Sequence, residues 1–183
     1  EVYAMINAEH PDLVLSGGDW INTSADFIAE TAAAAGTLKG KLGTFSVRGD
    51  HEHFAYLDRE RSVREVEVAL KEQGVAMLAN EVRTFTHEGK RIAVGFVNYN
   101  YVVRSTREQI EALLNQLDGA DYKIVVTHQL DHVLAGLLEN RVDLVLAAHT
   151  HGGQVNPVVG VFHVRLARLE TTFIDGRYEL GNT

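Results

Sequence analysis

An α/β architecture, with a largely parallel sheet covered by helices, is the expectation for this 183-residue chain. Short apolar runs such as Leu13-Val-Leu and Val142 to Ala147 alternate with longer segments of helical periodicity. Several of those runs stop at a small or polar residue that leads into an Asp or His, as strands do on entering a loop.

Residues 1–10 read as the end of a helix that Pro11 stops. Leu13-Val-Leu-Ser16 is a short buried strand running into Gly17-Gly18-Asp19. A helix begins near Thr23 or Ser24, either of which can cap it, and ends at Gly36. Its alanines at 32–35 express helix propensity. Residues 43–47 form the next strand, which leads into Arg48-Gly49-Asp50-His51-Glu52. Val63, Val66 and Leu70 recur at helical spacing, and Gly74 supplies the stop. Strands are expected at 75–78, 82–86 and 91–97, with Glu88-Gly89 as a hairpin turn. Ser105-Thr-Arg-Glu108 reads as a capping box opening a helix whose apolar face is Ile110, Leu113, Leu114 and Leu117. A strand over 123–126 delivers Thr127-His128, a short helix covers 131–139, and a strand over 142–147 delivers His149 and His151. The tail from Val161 to Tyr178 alternates enough for two more strands, and the segment 178–183 leads toward another.

Composition narrows the functional classes. A formal net charge of −8 argues against non-specific binding to nucleic acid, and Lys39 with Lys41 is too small a basic cluster to reverse that. Two divalent ions would offset about four of those negative charges. The absence of cysteine excludes disulfides, thiolate zinc sites and a cysteine nucleophile. No Gly-x-Ser-x-Gly elbow and no P-loop is present. No apolar run approaches the ~18 residues of a membrane span. Without a repeat or linker, residues 1–183 read as a single domain. The chain opens at Glu1 with no Met, so both ends read as cuts in a longer protein.

The chemistry lies beyond the strand ends, where ligands gather in open α/β sheets. Asp19, Asp50, His128 and the His149/His151 pair follow four separate strands and point at one crevice. Residues two apart on an extended segment face the same way, so His149 and His151 can both address one centre. A carboxylate such as Asp19 can bridge two ions, and mixed nitrogen and oxygen donors suit Mn, Fe, Zn or Co better than Mg or Ca. Taken singly, Asp19 is a turn former and His128 a hydrogen-bonded strand end; the ordered set points to two metals. His10, His87 and His163 read as surface or strand residues, Asn98 and Asn100 as turn residues, and Trp20 as packing or cleft wall. His53 and His132 sit close enough in sequence to support the site.

With Gly18-Asp19, Gly49-Asp50-His51-Glu52, Thr127-His128 and Ala148-His149-Thr150-His151 in this order, the chain resembles the calcineurin-like metallophosphoesterases. Pro11-Asp-Leu-Val-Leu, Gly74-Val-Ala-Met-Leu-Ala-Asn80-Glu81 and His149-Thr-His-Gly-Gly-Gln154 are similar to the bacterial branch of YkuE-like phosphoesterases, often membrane-associated. The resemblance implies a four-layer α/β/β/α sandwich, here lacking its first and its C-terminal strands. It implies that Asp19 bridges two divalent ions, that Asp50, His128 and His149 hold one of them, and that His151 helps hold the other. His51 would be the acid near the leaving group or a stabiliser of the transition state, and a metal-bound hydroxide would cleave a small-molecule or lipid-linked phosphoester. Membrane association would come through a segment upstream of Glu1.

Three features depart from the family pattern. The opening Asp-x-His has no counterpart, so two ligands are missing. Asp50 stands where the family has Asn, which predicts tighter metal binding and a less electrophilic substrate. Ala148 replaces a glycine, a tolerable methyl group. The first two departures favour an alternative, a metallophosphoesterase-like scaffold that binds partners without catalysis.

Overall fold

In the computed structural model, residues 1–154, 157–159, 162–163 and 166–183 are described. The chain forms α1 (Val2–Ala8), β1 (Val14–Ser16), α2 (Ile28–Ala35), β2 (Thr44–Val47), α3 (Arg59–Glu72), β3 (Val75–Leu78), β4 (Glu81–His87), β5 (Lys90–Val97), α4 (Arg107–Gln116), β6 (Tyr122–Thr127), α5 (His132–Leu138), β7 (Leu144–Ala147), β8 (Val158–Val159) and β9 (Phe162–His163). The expected elements up to β7 are present with ends shifted by a few residues. What alternation alone did not foresee is that the strands form two main sheets rather than one. The first is parallel, in the order β1-β2-β3; the second is mixed, in the order β4-β5-β6-β7.

The chain leaves the first sheet between Leu78 and Glu81, and the Glu88-Gly89 turn then gives the second sheet its mixed character. Both residues take positive φ, 49° and 75°, the geometry of a tight hairpin. The turn folds β5 antiparallel onto β4, and β6 and β7 then add in parallel. The two sheets stack face to face through Val47 and Leu78 from one and Val94, Phe96 and Val126 from the other. On the outer face of the first sheet, α2 and α3 contribute Ala32, Ala35, Val63, Val66 and Leu70. On the outer face of the second, α4 and α5 bury Ile110, Leu113, Leu114, Leu134 and Leu138. Helices therefore flank both sheets, in the layer order expected of an α/β/β/α sandwich. Burying a side chain such as Phe96 or Leu113 contributes ~1.5–3 kcal/mol.

Two sequence expectations need correction. The helix α4 is capped one residue later than expected: the Thr106 hydroxyl accepts from Gln109 N, and the Gln109 amide oxygen accepts from Thr106 N. Ser105 is instead buried, with its hydroxyl donating to Asn98 O at 2.8 Å and Asn80 Oδ1 at 2.7 Å. A hydroxyl that ties a loop to a strand end is not free to cap a helix. The tail also differs. Val161 lies outside the described residues, β8 and β9 form a two-residue hairpin, and residues 170–183 hold no strand. Gly176 and Gly181 take φ of 89° and 59°, which breaks an extended backbone. Thr183 instead folds back, its hydroxyl donating to Val142 O at 2.8 Å. Among the described residues, no helix is long and apolar enough to cross a membrane.

Strands β1 and β2 of one sheet and β6 and β7 of the other deliver residues 19, 50, 128 and 149 to a common edge. The crevice therefore lies between the two sheets, with each contributing two loops.

Candidate metal centre

The loop after β1 turns sharply. Gly18 takes φ 89° and Asp19 takes φ 59°, a left-handed conformation uncommon for a residue with a side chain. Glu52 holds that turn in place. One of its carboxylate oxygens accepts from Trp20 N at 2.5 Å; the other accepts from Asp19 N at 3.1 Å and Gly49 N at 2.6 Å. The side chain is fully buried, and burial pushes its carboxyl up while the three N–H groups pull it back. Glu52 thus fastens the β1 loop to the β2 loop. Gly49 must be glycine, since a Cβ there would run into the Asp19 carboxylate.

The centre of the site is a compact donor set. One ligand atom from each of Asp50, His128 and His149 lies within 4.8 Å of the others. His128 Nε2 is 3.2 Å from Asp50 Oδ2 and 3.4 Å from Asp19 Oδ2. His149 Nδ1 is 3.0 Å from the same Asp50 oxygen and 3.3 Å from His128 Nε2. The other nitrogen of each ring is already committed. His128 Nδ1 lies 2.6 Å from Gly17 O, and His149 Nε2 lies 3.1 Å from Glu170 Oε2. Gly17 O only accepts, so His128 Nδ1 carries a hydrogen and, in the neutral ring, Nε2 is a bare lone pair facing a carboxylate. His149 meets a carboxylate at both nitrogens, and a cation on the Nδ1 side would leave its hydrogen on Nε2, against Glu170. Such a set calls for a cation, and its mixed nitrogen and oxygen donors fit a divalent transition metal.

Protons answer the same demand. Burial would raise the Asp50 carboxyl, but hydrogen bonds from His128, His149 and Tyr101 N outweigh it and hold the group well below the usual range. Burial disfavours a charged His128, yet its bond to Asp50 and the nearby Asp19 raise it. His149 is raised by its bond to Asp50, against burial and with help from Glu170.

Asp19, Asp50, His128 and His149 are thus brought together. His51 stands beside them: its backbone N–H donates to Asp19 Oδ1 at 2.9 Å. Its ring Nδ1 meets Asn22 O at 2.6 Å, so Nδ1 carries the hydrogen and Nε2 has no hydrogen-bond partner among the described residues. His151 is not drawn into the cluster. The segment 149–151 is not extended, because His149 and His151 take φ of 69° and 49° and the chain curls into a 3-10 turn, His151–Gly153. His151 Nδ1 lies 3.4 Å from Gln154 Nε2, although the residue lines the same cavity of about 990 Å³ as Asp19, His128 and His149.

Of the remaining residues, Trp20 packs among α2 and α3 and donates from its indole to Ser46 Oγ at 2.8 Å. Asn100 organises a turn, its side-chain oxygen accepting from Val102 N and Val103 N. That turn presents Tyr101 N to Asp50 Oδ1 at 2.6 Å. His53 is buried and pushed down by burial and by Arg48, and His132 packs on Phe173. Sequence reasoning missed Glu52, Tyr101 and Glu170. The first was legible within Gly49-Asp-His-Glu52; the other two reach the site through loops that carry no pattern.

The family profile of calcineurin-like phosphoesterases matches residues 1–153. An uncharacterized metallophosphoesterase of Helicobacter pylori strain J99 is 27% identical over 181 residues, covering 97% of this chain and 45% of the relative. A zebrafish (Danio rerio) transmembrane protein with metallophosphoesterase domain is 26% identical over 188 residues, covering 98% of this chain and 40% of its own. The chain spans less than half the length of either relative. Among solved structures, the Haemophilus influenzae NAD nucleotidase superposes with a TM-score of 0.63 at 18% identity, covering 82% of this chain and 36% of that one. A putative 5'-nucleotidase from Staphylococcus aureus gives 0.52 at 13% identity, covering 76% and 36%. These two likenesses concern the fold. The profile spans most of the chain, and the site it runs through carries the Asp and His donors: the chain belongs to the calcineurin-like phosphoesterase family.

Proposed function

We propose that the protein is a metal-dependent phosphohydrolase that uses two divalent ions to cleave a small or lipid-linked phosphoester. One observation carries this reading: the inner nitrogens of His128 and His149 converge on Asp50 Oδ2 while their outer nitrogens are held by oxygen acceptors. Asp50, His128 and His149 would hold one ion, and Asp19 and His151 would serve the second, with Asp19 shared. Divalent ions there supply charge neutralisation for the phosphoryl oxygens and activate water as nucleophile. Mn, Fe, Zn or Co suits these donors.

The chain's own residues do the rest. Glu52 keeps the β1 and β2 loops together, so Asp19 and Asp50 face the same space. His51, with Nδ1 fixed on Asn22 O, has Nε2 free to hold a proton for the leaving oxygen. We read residues 1–183 as one domain and place the chain in the YkuE-like branch, on the flanking Pro11-Asp-Leu-Val-Leu and His149-Thr-His-Gly-Gly-Gln154 segments. A relative that is by name a transmembrane protein supports a membrane-associated setting.

A second reading, a partner-binding scaffold without turnover, is supported by Asp50, which adds negative charge where a phosphate would sit, and by His151 standing outside the donor set. Hydrolysis of bis-p-nitrophenyl phosphate with added Mn²⁺, lost in EDTA, supports the enzyme. Metal bound without hydrolysis of this or a phosphomonoester supports the scaffold.

A further inference from the structure

We infer that Glu170 is a positioning residue for His149: it holds the outer ring nitrogen and so keeps Nδ1 aimed into the donor set. The inference rests on the metal reading of the site but concerns a residue that the motif does not contain.

The two imidazoles of the cluster are secured in different ways. His128 is fully buried and its Nδ1 is locked by a main-chain carbonyl, Gly17 O, at 2.6 Å. That anchor belongs to the backbone and is present whatever the surrounding side chains. Among the described residues, His149 has no main-chain anchor of this kind. It sits after β7 with φ 69°, in a left-handed turn rather than a strand, so no ladder fixes where its ring points. The Glu170 carboxylate, 21 residues further on, supplies what the backbone does not, a 3.1 Å contact to Nε2. It arrives from the end of a 3-10 turn, Leu166–Leu169. Tyr101 stands edge-on to the same ring with centroids 4.8 Å apart, and its own N–H holds Asp50. His149 is thus bounded by Tyr101 and tethered by Glu170, which leaves Nδ1 to face Asp50 Oδ2 at 3.0 Å.

A carboxylate on the far nitrogen does two things for a ligating histidine. It selects the tautomer with hydrogen on Nε2, and it makes Nδ1 a stronger donor. Both effects depend on one partly exposed side chain, so they can be removed without opening the core.

The experiment uses the whole chain as wild type, Glu170→Ala and Glu170→Gln. Mn²⁺ binding is measured by calorimetry, and the His149 tautomer is read from ¹⁵N shifts of the metal-free protein at alkaline pH, where the rings are neutral. In wild type the single ring hydrogen is shared between Nδ1, which faces Asp50 Oδ2 at 3.0 Å, and Nε2, which faces Glu170 Oε2 at 3.1 Å, so both tautomers are expected. Glu170→Ala should lose the Nε2–H tautomer, leaving the hydrogen on Nδ1, and bind Mn²⁺ about 10- to 100-fold more weakly. Glu170→Gln, whose amide oxygen still accepts from Nε2–H, should keep the tautomer and recover part of the affinity. An unchanged tautomer and unchanged affinity in Glu170→Ala overturns the inference. A wild type that binds no Mn²⁺ overturns the metal reading instead, and the tautomer measurement still decides the role of Glu170.

Discussion

The methyl group of Ala148 occupies the space that a side chain on Gly17 would need. The two residues come from opposite sheets, one after β1 and the other after β7, and both bind His128. Gly17 O meets the His128 ring at 2.6 Å, and Ala148 N donates to His128 O at 3.0 Å. The sheets therefore meet closely at the point where His128 is oriented, and the methyl at 148 is accommodated because position 17 has none.

A steric exchange follows from this contact. Gly17→Ala should destabilise the fold by about 1–3 kcal/mol, because the added carbon must push the two loops apart. Ala148→Gly removes the obstructing methyl, so the double variant should regain most of that loss. The coupling, ~0.5–3 kcal/mol for residues in contact, is measured by urea denaturation of the four proteins. Strict additivity would mean that the two loops do not touch in solution.

Asp50→Asn replaces the carboxylate by an amide of the same shape. The amide oxygen can still accept from Tyr101 N, but it cancels the negative charge that both histidines face. Mn²⁺ affinity should fall at least about tenfold, ~1.4 kcal/mol. Turnover of bis-p-nitrophenyl phosphate at saturating Mn²⁺ should rise, since the phosphoryl group then meets less negative charge. Unchanged affinity together with unchanged turnover would contradict both effects.

Much of this was legible in the sequence, and the reasons differ by residue. Leu13 to Ser16 and residues 123–126 announce strands because buried parallel strands need apolar side chains on both faces, so the Asp and His just beyond them mark the sheet edge. The split into two sheets falls at the two residues between Leu78 and Glu81, and which sheet a strand joins depends on packing rather than on local pattern. Ser105 matched a capping motif and lost that role to a buried loop contact. The segment carrying His149 and His151 is curled rather than extended, a geometry that Gly152 and Gly153 allow and that spacing alone does not reveal. Glu170 left no trace, since its contact joins it to His149 across 21 positions with no local pattern linking the two.

Alkaline stability should report on a buried phenol. Tyr99 is buried, and its hydroxyl donates to Asp131 Oδ2 at 2.8 Å. Burial and that carboxylate push the phenol up to about 12, above its ordinary value of ~10. A folded-state pKa above the unfolded one means stability that is fully present below pH ~10 and is lost as pH rises toward ~12. The loss should reach about 2 to 3 kcal/mol, at ~1.4 kcal/mol for each unit. Tyr99→Phe should be weaker by ~1 kcal/mol at neutral pH and flatter across the alkaline limb. Denaturation midpoints from pH 9 to 12, with phenolate absorbance as the monitor, test this; parallel curves for the two proteins would refute it.

Removing Glu52 should be the most damaging single change near the site outside the donor set. Glu52→Ala leaves three N–H groups, of Asp19, Trp20 and Gly49, without their acceptor in a buried place. Each unsatisfied donor costs about 1–3 kcal/mol, less whatever water can enter to replace the carboxylate. A net loss of at least ~3 kcal/mol is expected, enough to unfold a domain of ordinary stability. Glu52→Gln keeps one of the two acceptor oxygens and turns an amide NH₂ toward the remaining N–H. It should fold with a loss of ~1–3 kcal/mol, the range for a buried donor left without its acceptor. Its Mn²⁺ affinity should also drop, since Asp19 would no longer be held in its left-handed turn against Gly49. Thermal unfolding and Mn²⁺ calorimetry of the Gln variant separate the two effects. Full stability and full metal affinity in Glu52→Gln would show that the loops hold their positions without the carboxylate.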